Sequence, residues 1–459
     1  MRTYPRHYCG VFGMINVHDA ARCVSGGLWL LQHRGEESCG VISTDGTRLY
    51  GHKGMGLVSQ VFDENALTSL PGSMAIGHNR YSTTGQSELR NAQPLQISCR
   101  LGDVALAHNG NLTNAIPLRR ELEGRGAIFQ TTTDSEVMLH LLAQDEAPLE
   151  KAIENMMAKV RGAYSLIIMT TDKLIAVRDP HGFRPLSLGT MGNGRVISSE
   201  TCAFDFVGAR FERDVEPGEI AVMNKNGGDS FRLVGTTEGK PTRSLCAFER
   251  IYFARPDSVM DGESIYKTRF ALGQMLAEEH PMEADVVVPI PDGGTIMALG
   301  YGSARALPVQ LAFTRNHYVG RSFINPAQSR RERIADCKLN LIRELVEGKR
   351  VLVIDDSIVR GTTSHRRIEF LRRAGAKKIH MLIACPPHRY PCYYGIDFPD
   401  PAKLAATGRS IEDIKTKIGL DSLGYLSENG LMRVLGDKGH CLACFNGKYP
   451  VSPADQTSK

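Results

Sequence analysis

Long apolar runs are absent from this sequence: none of its 459 residues belongs to one approaching the ~20 needed to cross a bilayer as a helix. Met1 to Tyr8 also lacks the apolar segment of a signal peptide. The expectation is a cytoplasmic chain with no membrane partner. There are no repeats or low-complexity tracts, and no Gly-Lys-Thr or Gly-Lys-Ser follows a glycine-rich turn, so a Walker phosphate loop is excluded. Blocks of one charge are scarce: the net charge is +5, and only Arg330-Arg331-Glu332-Arg333 and Arg366-Arg367 form small basic clusters. That pattern argues against a nucleic-acid partner and leaves anionic substrates to account for the bias. Eleven cysteines is an odd number, and in a reducing compartment they do not make a disulfide framework. Cys23, Cys39, Cys99, Cys202, Cys337 and Cys385 lie in mixed or apolar contexts and read as small buried hydrophobes.

What is present is a globular composition, 42% hydrophobic, long enough for two or three domains. From Cys9 to about Glu219 short strands and turns alternate: Gly10 to Asn16, Gly40 to Ser43, Met74 to His78, Val104 to Asn109, Ser165 to Met169 and Leu174 to Arg178, with helical stretches near Ala20 to Gln32 and Ser135 to Leu142. This is an α+β pattern. Near Asn224 to Arg243 the composition shifts to Gly, Lys, Thr and Ser, which suggests a boundary. Beyond it, helices alternate with aliphatic strands at Val286 to Ile290, Val351 to Ile354 and His380 to Ile383, an α/β pattern with a parallel sheet. The last sixty residues read as helical and end at a cysteine pair. The division is therefore a leader 1–8, a first domain 9–241, and a second domain 242–459 with a helical extension.

The most informative stretch is Val351 to Ser364, Val-Leu-Val-Ile-Asp-Asp-Ser-Ile-Val-Arg-Gly-Thr-Thr-Ser. Four aliphatics read as a strand buried on both faces. Asp355 and Asp356 then fall at its carboxyl end, where open α/β sheets bind ligands. Gly361 and the hydroxyls of Thr362, Thr363 and Ser364 precede a helical pattern from Arg366 to Arg373 that Gly375 can cap, and backbone N–H groups at such a helix start bind phosphate. Neighbouring carboxylates can accept hydrogen bonds from vicinal ribose hydroxyls and stabilise positive charge at an anomeric carbon. A sugar phosphate fits both halves of the stretch.

Near the other end, Cys9-Gly10-Val11-Phe12-Gly13 opens a strand after eight residues. Removal of those eight would give Cys9 a free α-amine, with a pKa of ~7.7 to 8.0, that could act as base for its own thiol. Motifs rich in glycine, amide and charge follow in order: Gln32 to Ser38, Gly77 to Gly85, Asn91 to Pro94, His108 to Leu112, and Thr133 to Glu136.

The segment Asp355 to Ser364 closely resembles the phosphoribosyl pyrophosphate (PRPP) loop of type I phosphoribosyltransferases. The resemblance implies that Asp355 and Asp356 handle the ribose while Ser357, Arg360, Gly361, Thr362, Thr363 and Ser364 wrap the 5′-phosphate. The motifs that follow Cys9 look like a class II glutamine amidotransferase domain, an N-terminal-nucleophile (Ntn) hydrolase. By that resemblance Cys9 attacks the glutamine amide, Asn109 and the N–H of Gly110 form the oxyanion hole, Arg80 binds the α-carboxylate bidentately, and Asp134 complements the α-ammonium. His78 and His108 read as structural.

Together the halves resemble the glutamine PRPP amidotransferases from Cys9 to about Pro450, including Arg178 to Leu186, Ser198 to Thr201, Glu216 to Glu219 and Tyr252 to Ser258. The resemblance implies conversion of glutamine, PRPP and water to 5-phosphoribosylamine, glutamate and pyrophosphate, the first committed step of purine synthesis, with ammonia passed internally between two sites. It also implies Mg2+ near Asp355, Asp356 and the position of Gly293, a loop from Asn316 to Asn340 that closes over PRPP, feedback by purine nucleotides, and a homotetramer. Three positions depart from the family's pattern: Gly293 where serine is usual in Pro-Asp-Ser-Gly, His317 where arginine is usual, and Glu36 in place of a glutamine.

Cys441-Leu442-Ala443-Cys444 is by itself ambiguous among zinc, redox chemistry and chance, and thiolates suit zinc or iron–sulfur alike. With Cys246 and Cys392, its context matches the subgroup of the family that carries a [4Fe–4S] cluster. The alternative for the chain as a whole is a PRPP-sensing regulator built on the phosphoribosyltransferase fold. Such a regulator should have a concentrated basic surface and no nucleophile, oxyanion hole or glutamine clamp.

Overall fold

The computed structural model describes residues 9–81, 87–234, 242–315, 339–397 and 400–453. The leader Met1 to Tyr8, the end of the second amide-rich motif from Ser82 to Gly85, and the loop from Asn316 to Lys338 with His317 and Cys337 lie outside the described residues.

Numbered along the chain, the strands of the first half are β1 (Gly10–Ile15), β2 (Ser38–Thr44), β3 (Leu49–Met55), β4 (Met74–Arg80), β5 (Leu95–Cys99), β6 (Gly102–Leu112), β7 (Gly162–Met169), β8 (Lys173–Arg178), β9 (Ser187–Met191), β10 (Gly194–Ser198), β11 (Arg210–Asp214), β12 (Glu219–Asn224) and β13 (Ser230–Leu233). They form two antiparallel sheets, ordered β11-β9-β10-β1-β4-β2-β3 and β13-β12-β8-β7-β6-β5. Successive side chains of a strand point to opposite faces. On β1, Val11 and Ile15 therefore join Met74 and Ile76 of β4 and Ala105, Ala107 and Ile167 of the second sheet in the core between the sheets. Phe12 and Met14 point the other way, into a layer closed by Val24 and Leu28 of the helix Ala20–Leu30. The helices Ser135–Gln144 and Leu149–Lys159 cover the second sheet with Val137, Met138, Ile153 and Met156 against Leu106, Leu166 and Ile168. This is a four-layer αββα arrangement, as the resemblance to Ntn hydrolases implies. Each aliphatic fully withdrawn from water contributes ~1.5–3 kcal/mol.

The second half is an α/β domain. It is built on a parallel sheet whose strands lie in the order Val286–Pro289, Arg350–Asp355, Lys378–Ile383, Ser422–Tyr425. Val286, Val288, Leu352, Ile354 and Met381 are buried with apolar side chains from the helices Ile265–Glu279, Thr295–Arg305, Thr362–Arg373 and Ile411–Ile418. The reading of the last sixty residues as helical is corrected here. Ser422–Tyr425 is an edge strand, and its Ser-Leu-Gly-Tyr sequence has too few aliphatics to stand out; pairing with Lys378–Ile383 supplies what periodicity does not.

Two helices of this half cross at a very short distance because glycine stands at the crossing. A Cβ on Gly273 would lie 1.9 Å from the Met297 carbonyl, and one on Gly300 would lie 2.0 Å from that of Phe270. Helix propensity alone favours alanine over glycine by ~1 kcal/mol. The backbone clash should prevail, so Gly273→Ala should lower stability by ~1–3 kcal/mol. A melting temperature equal to or above the parent's would contradict the crossing geometry.

Candidate active sites

Alternation along the strands brings one group of expected residues together. Arg80 on β4 and Asn109 on β6 have the parity of the inter-sheet residues Met74, Ile76, Ala105 and Ala107, and Cys9 has that of Val11 and Ile15. All three side chains are buried at one end of the inter-sheet core. Burial pushes the Cys9 thiol up to about 12, against the lowering effects of Arg80 and Arg34. Its Sγ faces the Tyr81 carbonyl at 3.7 Å. Neither the Nδ2 nor the Oδ1 of Asn109 has a partner among the described residues. Gly110 has φ +155, and a Cβ there would lie 2.0 Å from the Ala163 carbonyl, so only glycine fits. Its register partner Tyr164 turns both backbone groups toward Asp179, accepting from that residue's N–H at 2.8 Å and donating to Oδ2 at 3.2 Å. The Gly110 amide is thus not claimed by that pair. Asp134 precedes the helix Ser135–Gln144 and accepts from the Leu112 N–H at 2.9 Å.

The amide-rich motifs join these pieces. Gln93 accepts from the His108 N–H at 2.8 Å and donates to Ser135 at 3.0 Å, while Asn91 accepts from the Thr132 N–H at 3.0 Å. Glu136 accepts from the N–H groups of Gln130 and Thr131, both at 2.7 Å, and fixes the turn before Asp134. Burial holds His78 down to about 3 and lowers His108, so both rings are neutral at pH 7.

In the second half, Asp355 ends the strand Arg350–Asp355 and Asp356 follows, both buried. Burial raises both acids above the ordinary carboxylate range, and Asp356 raises Asp355 further. Arg367, on the helix Thr362–Arg373, donates to Asp355 at 3.4 Å, and Ser357 donates to Asp356 at 2.6 Å. Gly361 has φ +77 and stands at the start of that helix, which turns the chain from Ser357 to Ser364 beside the aspartates. Gly293 lies directly against the pair: a Cβ there would meet Asp356 Oδ1 at 1.9 Å. With Asp356 in this position the family's serine has no room, so the departure at Gly293 and the placement of Asp356 go together.

Three segments far apart in sequence bring Cys246, Cys392, Cys441 and Cys444 into one region. Cys246 and Cys441 are register partners in a short parallel pair, Leu245–Cys246 with His440–Cys441. The charge of each of these thiolates, and that of Cys392, would raise the pKa of the buried Cys444, whose pKa burial has already pushed well above the usual thiol range. Backbone N–H groups of Glu249, Tyr394 and Ala443 point at the sulfurs of Cys246, Cys392 and Cys441. Among the described residues no three His, Cys, Asp or Glu side chains stand as a ligand set for a single metal ion.

A family description of a glutamine amidotransferase domain matches residues 78–205, and one of a phosphoribosyl transferase domain matches residues 262–400. The amidophosphoribosyltransferase of Bacillus subtilis is 47% identical over 451 residues, covering 96% of this chain and 94% of that protein. The chain belongs to the amidophosphoribosyltransferase family. The amidophosphoribosyltransferase of Methanocaldococcus jannaschii is 45% identical, covering 96% of this chain and 98% of its own length. A solved structure of the B. subtilis glutamine PRPP amidotransferase, complexed with ADP and GMP, superimposes with a TM-score of 0.91 at 45% identity, covering 97% of this chain and 98% of that one. The chain is thus a glutamine-dependent enzyme of the first step of purine biosynthesis.

Two groups that sit at the second of these amidophosphoribosyltransferase sites have no clear mark in the sequence. Arg367 was seen only as part of a basic cluster, yet it is buried against Asp355. Arg269, buried on the helix Ile265–Glu279, donates to the carbonyls of Arg250 and Ala254 at 3.0 and 2.7 Å and directs its charge at Asp356. The only available signal was a charge at a core-facing helical position.

The raised acids have a consequence for stability. The unfolded chain releases these protons near the ordinary value of ~3.9 and the folded chain only at higher pH, so stability falls as pH rises between the two and stays reduced above. Asp355→Asn removes the charge. In ligand-free protein at pH 7 it should raise stability, read as a higher melting temperature, while abolishing synthesis. A variant less stable than the parent would contradict this.

Proposed function

We propose that this chain makes 5-phosphoribosylamine from glutamine and PRPP at two sites, one in each half. The observation that carries the reading is the buried, unpartnered amide of Asn109 beside Cys9 in the inter-sheet space. Leaving such a group without a hydrogen bond costs ~1–3 kcal/mol, which a developing oxyanion would recover. A thiol near 12 is not a nucleophile at pH 7 without a base. Removal of Met1 to Tyr8 would give Cys9 an α-amine in position to take the proton. The thiolate attacks the glutamine side-chain carbonyl, with the charge on oxygen held by Asn109 and the Gly110 N–H. Ammonia leaves, and water hydrolyses the glutamyl thioester to glutamate. Arg80 and Asp134 would hold the α-carboxylate and α-ammonium of the substrate.

At the second site Asp355 and Asp356 would accept from the ribose hydroxyls and stabilise the anomeric carbon as ammonia displaces pyrophosphate. Ser357, Arg360, Gly361, Thr362, Thr363 and Ser364 would enclose the 5′-phosphate. Two buried carboxylates with raised pKa values are short of positive charge, which fits Mg2+ binding there through few protein ligands and substrate oxygens. Magnesium, when bound, would neutralise the pyrophosphate leaving group. Direct contacts between the halves support internal passage of ammonia: Asn111, two residues past the proposed oxyanion donor, donates to the Tyr393 carbonyl at 2.9 Å, and Phe183 stacks on Tyr394 with ring centroids 4.3 Å apart.

Cys246, Cys392, Cys441 and Cys444 would hold a [4Fe–4S] cluster in this reading, as in the subgroup of the family they resemble. Backbone N–H groups directed at three of the sulfurs support this, because they stabilise the thiolate form that ligates iron. Its part would be structural, fastening Cys441 and Cys444 to the start of the second half at Cys246. Feedback by purine nucleotides draws support from the related structure bound to ADP and GMP. A homotetramer and a cytoplasmic location complete the proposal; no helix among the described residues is long and apolar enough to cross a membrane.

Supplying glutamine and PRPP and measuring pyrophosphate release tests the reaction. Active enzyme should have an intact mass lacking Met1 to Tyr8. Cys9→Ala should lose glutamine-dependent synthesis by ~10³-fold or more yet retain synthesis from high ammonia. Equal loss of both rates would remove the two-site scheme, and full activity with the leader retained would remove the α-amine as base.

Protein purified without air should be brown, with broad absorbance near ~400 nm that bleaches on oxidation. Colourless anaerobic protein with stoichiometric zinc would overturn the cluster.

A further inference from the structure

Two fully buried guanidinium groups of the first half, Arg34 and Arg184, end on one carboxylate of the second. Glu249 Oε1 accepts from Arg34 at 2.7 Å and from Arg184 at 3.2 Å, and its Oε2 accepts a second bond from Arg34 at 3.1 Å. Arg34 also bonds to the buried carboxylate of Glu200. Glu200 in turn accepts from the N–H of Arg255 at 2.8 Å and from Ser258 at 2.9 Å, and it meets His33 at 2.7 Å. Although burial disfavours its charge, Glu249 and Glu200 hold the pKa of Arg34 above its usual value. What this cation holds is the nucleophile's own backbone: Arg34 Nε donates to the Cys9 carbonyl at 3.2 Å.

A guanidinium is a rigid planar fork, so two carboxylates that grip its terminal nitrogens also fix the direction of its Nε–H. The Cys9 carbonyl lies one bond from the Cα that bears both the thiol side chain and the α-nitrogen. We propose that Glu249 is a positioning residue for the glutaminase site: through Arg34 it sets the backbone of Cys9, so that glutamine is hydrolysed at full rate only when the second half is docked on the first. The inference rests on Cys9 being the nucleophile, which Cys9→Ala tests separately.

The test compares glutamine-dependent and ammonia-dependent pyrophosphate release in full-length enzyme purified without air. A displacement of the nucleophile by a fraction of an ångström should cut glutamine-dependent kcat ~10- to 100-fold in Glu249→Gln. Because Arg34 touches the nucleophile and not the substrate, KM for glutamine and the ammonia-dependent rate should each stay within about 2-fold. Glu249→Asp, which keeps the charge, should recover part of the loss. The rate at which a glutamine-like electrophile labels Cys9, read by mass, should fall in step with kcat. If Glu249→Gln does not fold, Glu249→Asp and Arg34→Lys carry the same comparison. An unchanged ratio of the two rates, or equal loss of both in every variant, would reduce Glu249 to a stabilising contact and overturn the proposal. Should Cys9→Ala still abolish glutamine use in that event, only this inference falls.

Discussion

Two guanidinium groups and two carboxylates, all withdrawn from water, make the joint between the halves of this chain. Arg34, Glu200, Arg184 and Glu249 balance in charge, and removing any one would leave an uncompensated buried charge at a cost of ~3–5 kcal/mol. Such a cluster contributes less to stability than apolar packing of the same volume. It does specify one relative placement, because a bidentate fork accepts few geometries. The stack of Phe183 on Tyr394 and the bonds from Asn111 and Arg184 to the carbonyls of Tyr393 and Tyr394 depend on that placement. Those carbonyls adjoin Cys392, so the joint, the cysteine group and the strand bearing Asn109 and Gly110 form one connected region.

Both candidate sites are strand-end sites, and each holds polar groups in a costly state. In the first half a neutral thiol and an unpartnered amide are withdrawn from water. In the second, two adjacent acids are held protonated at higher pH than usual by burial. Ligands that bring an oxyanion to the first and cationic or hydroxyl groups to the second relieve those costs, which is how a fold stores binding energy for chemistry. The space that Gly293 leaves is used by Asp356 itself, so a position that departs from the family's pattern bears directly on the carboxylate pair.

Local signals carried much of this into the sequence. The strand Gly10–Ile15 and the stretch Val351 to Ile354 are unbroken apolar runs because both faces are buried, and Cys9, Asn109, Asp355 and Gly361 stand where such runs end or turn. The edge strand Ser422–Tyr425 has no such run and exists through its neighbour. The joint was equally hidden. Arg34 lies 166 residues from Glu200 and 215 from Glu249, and nothing in either neighbourhood says that a buried carboxylate awaits it. Long-range pairing of charges is a property of the folded arrangement, and periodicity cannot report it.

The most direct test of two connected sites uses the amide nitrogen itself. Enzyme turning over 15N-amide glutamine and PRPP in a large excess of unlabelled ammonium, at a pH where free ammonia is scarce, should give 5-phosphoribosylamine that carries the label. Product whose nitrogen has equilibrated with the medium would contradict the account.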